Sequence, residues 1–293
     1  SGVMEDAVTL GKESQEHAFT TGLAFRMRKG SLYEEDASSA QSTDTKMTIL
    51  FPWVTLGSNI NFCDALLTGG TSPATEDFTE VGSGTIHFNF TLRGDKATAS
   101  LFGDVKKGVF LNQERIFVGG NNSLLGPLSA DYGSLSAAGI RISNKMKKGL
   151  HLGQKPLQGH LPDYQRLSRN TLPILQHQTN FILQLTLLHH WYQELRIPSG
   201  TSKEQQQCYQ AGSRMVQLNI QERIKQLEHF LEISHSEPSL KEAWQKTKLL
   251  FIDHEVSSFP APSPFLEAFL QARETSSHTK ALQNLSETVL SCG

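Results

Sequence analysis

A period of six runs through the first half of the chain and restricts its fold more than any other feature. Small or aliphatic residues recur at Val118, Leu124, Ala130, Ser136 and Ile142, and the same step runs through Leu50, Leu56 and Phe62. Helices repeat about every 3.6 residues and simple strands about every two, so a step of six fits neither. It fits a triangular parallel β-helix, in which three six-residue faces complete one turn and the first residue of each face points into the prism. Glycine follows a core position in Leu56-Gly57, Val81-Gly82, Val118-Gly119 and Ala138-Gly139, where the chain must turn a corner tightly. The repeat slips over 68–80 and 103–116, and insertions into a solenoid predict loops there.

Near residue 160 the composition changes. Most of the 23 glycines precede Gly159, and stretches rich in Leu, Gln, Glu and Lys follow it, which is helical composition. Apolar residues at Ile174, Phe181, Leu185, Leu188, Trp191, Tyr192 and Leu195 predict a helix over 173–195, stopped by Pro198 and Gly200. A second helix is expected over 203–233. Ser239 and Glu242 read as a capping box opening a third helix around Trp244 and Phe251, with shorter helices from about Pro264 and about Thr279. The fold class expected is a β-solenoid plus an all-α part. Residues 1–48 read as an irregular N-terminal coil whose polar stretch 29–46 is a mobile excursion, 49–150 as the β-helix, and 160–293 as the helical domain.

A formal net charge of −2, from 27 basic and 29 acidic residues, gives no excess that would point to nucleic acid or an anionic membrane surface. The most apolar stretch, 181–192, is broken by Gln184, Thr186, His189 and His190 and falls short of the roughly 20 residues that span a bilayer. No secretory signal is visible, and Cys63, Cys208 and Cys292 are odd in number and widely spaced, so a reducing cytoplasm is expected. Six of the eleven histidines lie between His177 and His254, but not at the spacing that makes zinc sites, and no metal is predicted.

The chemistry-bearing stretch is Val81-Gly-Ser-Gly-Thr-Ile-His-Phe-Asn-Phe-Thr, then Lys96, Gly103-Asp104, Val118-Gly-Gly-Asn-Asn-Ser-Leu-Leu-Gly-Pro and Ser136-Ala-Ala-Gly. In order and nearly in spacing this series resembles the acetyl-CoA end of the left-handed β-helix (hexapeptide-repeat) acetyltransferase half of the bacterial bifunctional uridyltransferase/acetyltransferase that makes UDP-N-acetylglucosamine. The resemblance implies that Asn89 stands at the family's Asn-Tyr pair, with Phe90 in place of the tyrosine. It sets Lys96 near the family's lysine, Gly120 near a serine, and Ala137 and Ala138 where the backbone lies along the pantetheine arm. It therefore implies a groove for acetyl-CoA or another acyl-CoA. The segment 181–196, with Trp191-Tyr-Gln-Glu-Leu, is similar to bacterial proteins described as related to UDP-N-acetylglucosamine pyrophosphorylase.

On the acceptor side, the family's general-base histidine falls at Asp64 and a sugar-phosphate tyrosine at Leu66. Aspartate near its reference pKa of about 4 is a weak base toward an amine. Cys63 and His87 are the other candidate bases. His87 has a suitable pKa or else packs beside the prism core, and Cys63 reads equally as a small buried hydrophobe. The segment from Gly22 to Gly30 resembles the family's arginine-bearing phosphate grip, making Arg26 and Arg28 candidate phosphate ligands or else solvated arginines. The family's second phosphate-gripping position falls at about Pro52. No nucleotidyltransferase-type glycine-rich phosphate loop occurs here.

Two functions follow from the resemblance. One is an acyl-CoA-dependent acyltransferase acting on an amino sugar phosphate or nucleotide sugar, with Asp64 or His87 as base and Asn89 orienting the nucleophile. The other is a catalytically inactive scaffold binding a sugar nucleotide or a protein. Either is expected to be a homotrimer, as in the family.

Overall fold

The computed structural model describes residues 3–12, 21–86, 94, 96–153, 170–234, 237–252 and 264–291, with the side chains of Val3, Ile252 and 286–291 left aside. Its first half is built of parallel strands that the chain revisits in a fixed order along three ladders. The first ladder holds Val3–Met4, Arg26–Met27, 43–46, 60–63, Gly84–Ile86, 122–125 and 141–143. The second holds Val8–Thr9, Leu32–Tyr33, 48–50, 65–67, Ser100–Phe102, 128–130 and 144–146. The third holds Ser38–Ser39, Thr55–Leu56, Glu80–Val81, Phe117–Val118, Ser134–Ser136 and Gly149–His151. Partners such as Ile49 and Leu66, or Ser38 and Thr55, stand 17 residues apart, and Ser123 and Arg141 stand 18 apart. Three steps of six give 18, and a coil with one face of five gives 17.

The residues of the six-step series lie inside the stack: Leu50, Leu56, Phe62, Val118, Leu124, Ala130, Ser136 and Ile142 are all buried. Where the repeat slips, the chain leaves the ladders. Residues 68–80 carry an antiparallel pair, Gly70–Ser72 with Asp77–Phe78, and 103–116 carry a single helical turn, α1 (Val105–Gly108), capped by Asp104.

Among the described residues of 1–48 the chain is not an irregular preface. The stretch 29–46 holds strands Leu32–Tyr33 and Ser38–Ser39 and the first half of Thr43–Leu50, all paired in register, so it is part of the stack and not the excursion expected. Its polar residues misled because two of them, Glu34 and Glu35, are buried as the partners of a distant arginine.

The second half is helical: α2 (Thr171–Trp191), α3 (Lys203–Ile233), α4 (Pro238–Ile252), α5 (Pro264–Arg273) and α6 (His278–Ser291). Helix α4 starts at Pro238, the residue type that best tolerates a first helical position, so Ser239 lies inside the first turn rather than capping it. A π-helical turn, Tyr192–Arg196, extends α2 and brings Tyr192 to Glu34 and Arg196 to both Glu34 and Glu35. The helices cover the second ladder. Phe181, Leu185, Leu188 and Tyr192 of the α2 rod join Tyr209, Met215 and Val216 of α3 in one apolar cluster with the stack. Among the described residues no helix is long and apolar enough to cross a membrane.

Candidate functional site

Many corners of the stack place a residue in the left-handed backbone region. Between the first and second ladders these are Asp6, Gly30, Met47, Asp64 and Asn144, with φ from 48° to 74°. Aspartate and asparagine enter this region at low cost through local hydrogen bonding, which accounts for the residue type at 64 without any catalytic demand. The Asp64 carboxylate accepts from Arg223 Nη2 at 2.7 Å, and Arg223 is itself buried on α3. One turn earlier on α3, Asn219 Nδ2 donates to the Gly30 carbonyl at 2.7 Å. Burial raises the Asp64 pKa and Arg223 opposes the rise, so the carboxylate is a clamped ion-pair partner under a helix.

The rest of the predicted acceptor side fares similarly. Leu66 is fully buried in the core. Burial, together with neighbouring Asp64, pushes the Cys63 thiol up and keeps it protonated at neutral pH, which removes it as a base. Arg26 lies on the open side of the first ladder with Glu5 at 3.2 Å, and Arg28 Nε donates to Asp44 at 2.5 Å, so each candidate phosphate ligand already faces a carboxylate. His87, Asn89 and Phe90 lie outside the described residues.

Gly120, Ala137 and Ala138 meet at the corner between the third and first ladders. Gly139 N–H donates to the Gly120 carbonyl at 2.8 Å, and the buried Asn122 amide donates to the Ala137 carbonyl at 3.0 Å. The corner is built from close backbone approach: a Cβ on Gly57 would stand 2.1 Å from the Gly82 carbonyl oxygen. Lys96 is exposed. The outward residues of the first ladder, in register, are Arg26, Asp44, Asn61, Thr85, Ser123 and Arg141.

Beside that face a cavity of about 580 Å³ lies between the last coils and the start of α2, lined by Gly126, Pro127, Arg141, Asn144, Lys145 and His177. This volume falls within the roughly 300–1,000 Å³ typical of small-molecule sites. Arg141 Nε is buried without a partner, whereas Lys145 is paired with Asp131 at 2.9 Å. Burial lowers the His177 pKa, so its ring is neutral, and Nε2 lies 3.0 Å from the Ala99 carbonyl. A donor at Nε2 leaves Nδ1 as the lone-pair nitrogen. Sequence reasoning missed this cleft, because Arg141 is one outward position among many and nothing local links it to a histidine on a helix. Among the described residues no group of three His, Cys, Asp or Glu could hold a metal ion.

Comparison with protein-family models, with curated proteins and with solved structures returned no match to this chain.

Proposed function

We propose that the chain is a left-handed β-helix of the hexapeptide acyltransferase type that serves as a binding scaffold for a sugar nucleotide, held along the open first face and its cleft. The observation that carries this reading is the Asp64–Arg223 ion pair. A carboxylate engaged by a buried guanidinium beneath a helix is a structural partner, not a base open to an acceptor amine. Arg141, with an unpaired Nε in the cleft, suits the diphosphate of such a ligand. The outward residues of the third ladder change from Ser38, Thr55 and Glu80 to Phe117, Leu135 and Leu150 in the later coils, an apolar strip that supports a homotrimer. Free Cys63 and Cys208 suit a reducing cytoplasm.

A second reading, an acyl-CoA-dependent acyltransferase acting on an amino sugar phosphate or nucleotide sugar, is favoured by His177. Its orientation in the cleft, with Nδ1 as the acceptor, is that of an anchored general base. Thermal denaturation with millimolar UDP-N-acetylglucosamine or acetyl-CoA tests both. The scaffold reading expects stabilisation by the sugar nucleotide, its loss in Arg141→Gln, and no thiol release from acetyl-CoA. Thiol release from acetyl-CoA as its acetyl group passes to the amine of an added amino sugar phosphate, lost in His177→Asn, selects the second reading. No shift with either ligand overturns both.

A further inference from the structure

A second cavity, remote from the cleft, lies where the first coils meet the helical half. It encloses about 220 Å³ and is lined by Lys12, Glu35, Glu204, Gln205, Cys208, Arg273 and His278, among others. Two features set it apart from ordinary packing. The first is Arg273, only 8% exposed, whose Nη1 donates to the Ser276 carbonyl at 2.9 Å and whose Nη2 donates to Gln205 Oε1 at 3.3 Å. Its Nε has no partner, and among the described residues no carboxylate lies within ion-pair distance of its guanidinium. A buried guanidinium without a counter-ion is strongly disfavoured unless an anion joins it.

The second feature is His278, 1% exposed, with neither ring nitrogen hydrogen-bonded. A neutral imidazole carries one N–H donor and one lone pair, and leaving both unmet in a buried site costs free energy that a ligand would recover. Arg196 and Arg273 nearby reinforce the local positive field around this ring.

Two helix starts open onto the same space. Ser202 caps α3 by accepting from Gln205 N–H at 3.1 Å, and Ser277 Oγ lies 3.4 Å from Lys280 N at the start of α6. Both present the positive ends of their dipoles to an anion. The donors approach from several elements, which suits a tetrahedral anion better than a planar carboxylate. Glu35 contributes the opposite chemistry. Its Oε1 accepts from Arg196 at 2.6 Å, while Oε2 is buried without a partner and is suited to accept from a ligand hydroxyl. Glu204 on the lining adds a second acceptor. The volume lies below the range for drug-sized ligands, so a nucleotide sugar or CoA does not fit.

We propose that this cavity binds a small hydroxylated phosphate ester, its phosphate held by Arg273, His278 and the starts of α3 and α6 and a hydroxyl held by Glu35. The site is independent of the cleft at Arg141 and of the function assigned to it.

Half-buried Cys208 on the lining provides a direct readout. The rate of its alkylation by iodoacetamide is followed by peptide mass spectrometry in inorganic phosphate, in chloride at matched ionic strength and in acetate. Phosphate at roughly ten times its Kd is expected to slow Cys208 by about tenfold while leaving Cys63 unchanged. Acetate is expected to protect far less, and Arg273→Gln to abolish the phosphate effect. Equal Cys208 rates in phosphate and chloride overturn the proposal, as does undiminished protection in a folded Arg273→Gln protein or equal protection by acetate. Should Arg273→Gln not fold, the wild-type comparison among the three anions decides alone.

Discussion

The second and third ladders are made by the same chain winding through the same repeat, yet one is sealed and the other open. In the middle coils of the second ladder both residues of a pair are apolar and buried, Leu32 with Tyr33, Ile49 with Leu50, Leu66 with Leu67 and Leu101 with Phe102, whereas Ser129 and Lys145 of the last coils are polar and not buried. One residue of each pair fills the prism, and the other lies under α2 and α3. In the third ladder only the inner residue is buried, as in Thr55–Leu56 and Glu80–Val81. The repeat needs one inward residue per face, so the outward residue is left to decide what covers the stack. Polar corners follow the same division. Glu34, Glu35 and Asp64 are held by arginines from the helices, whereas Gly120 and Ala138 face outward at an uncovered edge.

The largest expected effect tests the sealed side. Arg196→Met leaves Glu34 and Glu35 buried with no cation, and urea denaturation is expected to register a loss of about 3–5 kcal/mol. Arg26→Met, on the open first ladder, is expected to cost no more than about 0.5 kcal/mol. Equal losses would break the distinction between covered and open faces.

Next comes the corner between the third and first ladders. Gly57→Ala would drive a Cβ to 2.1 Å from a backbone oxygen that cannot retreat, at a cost of about 3 kcal/mol. Ala138→Val, on the exposed side of the same edge, is expected to leave the denaturation midpoint nearly unchanged.

A pH effect of on the order of 2 kcal/mol is expected from Glu34. Burial, with Glu35 as a second carboxylate competing for Arg196, raises its pKa to about 7 from an ordinary 4.5. The folded state therefore binds this proton more tightly than the unfolded chain. The stability it confers is complete below about 4.5 and is lost as pH rises through about 7. Wild-type stability should fall over that window relative to Glu34→Gln, which cannot ionise and keeps one amide oxygen as an acceptor. Parallel profiles for the two proteins would refute this.

The smallest expected change in protomer stability is at Leu135, 37% exposed on the third ladder. Leu135→Glu should shift the folding free energy by less than about 0.5 kcal/mol. Under the trimer proposal it should nevertheless lower the sedimenting mass, and an unchanged mass would count against that strip as the contact.

How much was legible varied with the range of the cause. The coil stack was readable because its rule is local: each inward aliphatic at a step of six specifies its own burial. Helix α2 was readable from apolar spacing and α4 from Ser239 and Glu242, although α4 begins at Pro238 and takes Ser239 into its first turn. Glu34 and Glu35 were not readable as core, because their burial is licensed by an arginine more than 160 positions later. The Arg141–His177 cleft and the Arg273–His278 cavity were hidden for the same reason.

The sequence alone determined a stack of parallel strands followed by helices, since periodicity and composition act over neighbouring residues. Only the tertiary structure decided that the helices seal one ladder and clamp Asp64. Only it decided where unpaired charge is left inside the protein. Those outcomes depend on which distant side chains share a low-dielectric space, and no local pattern encodes that.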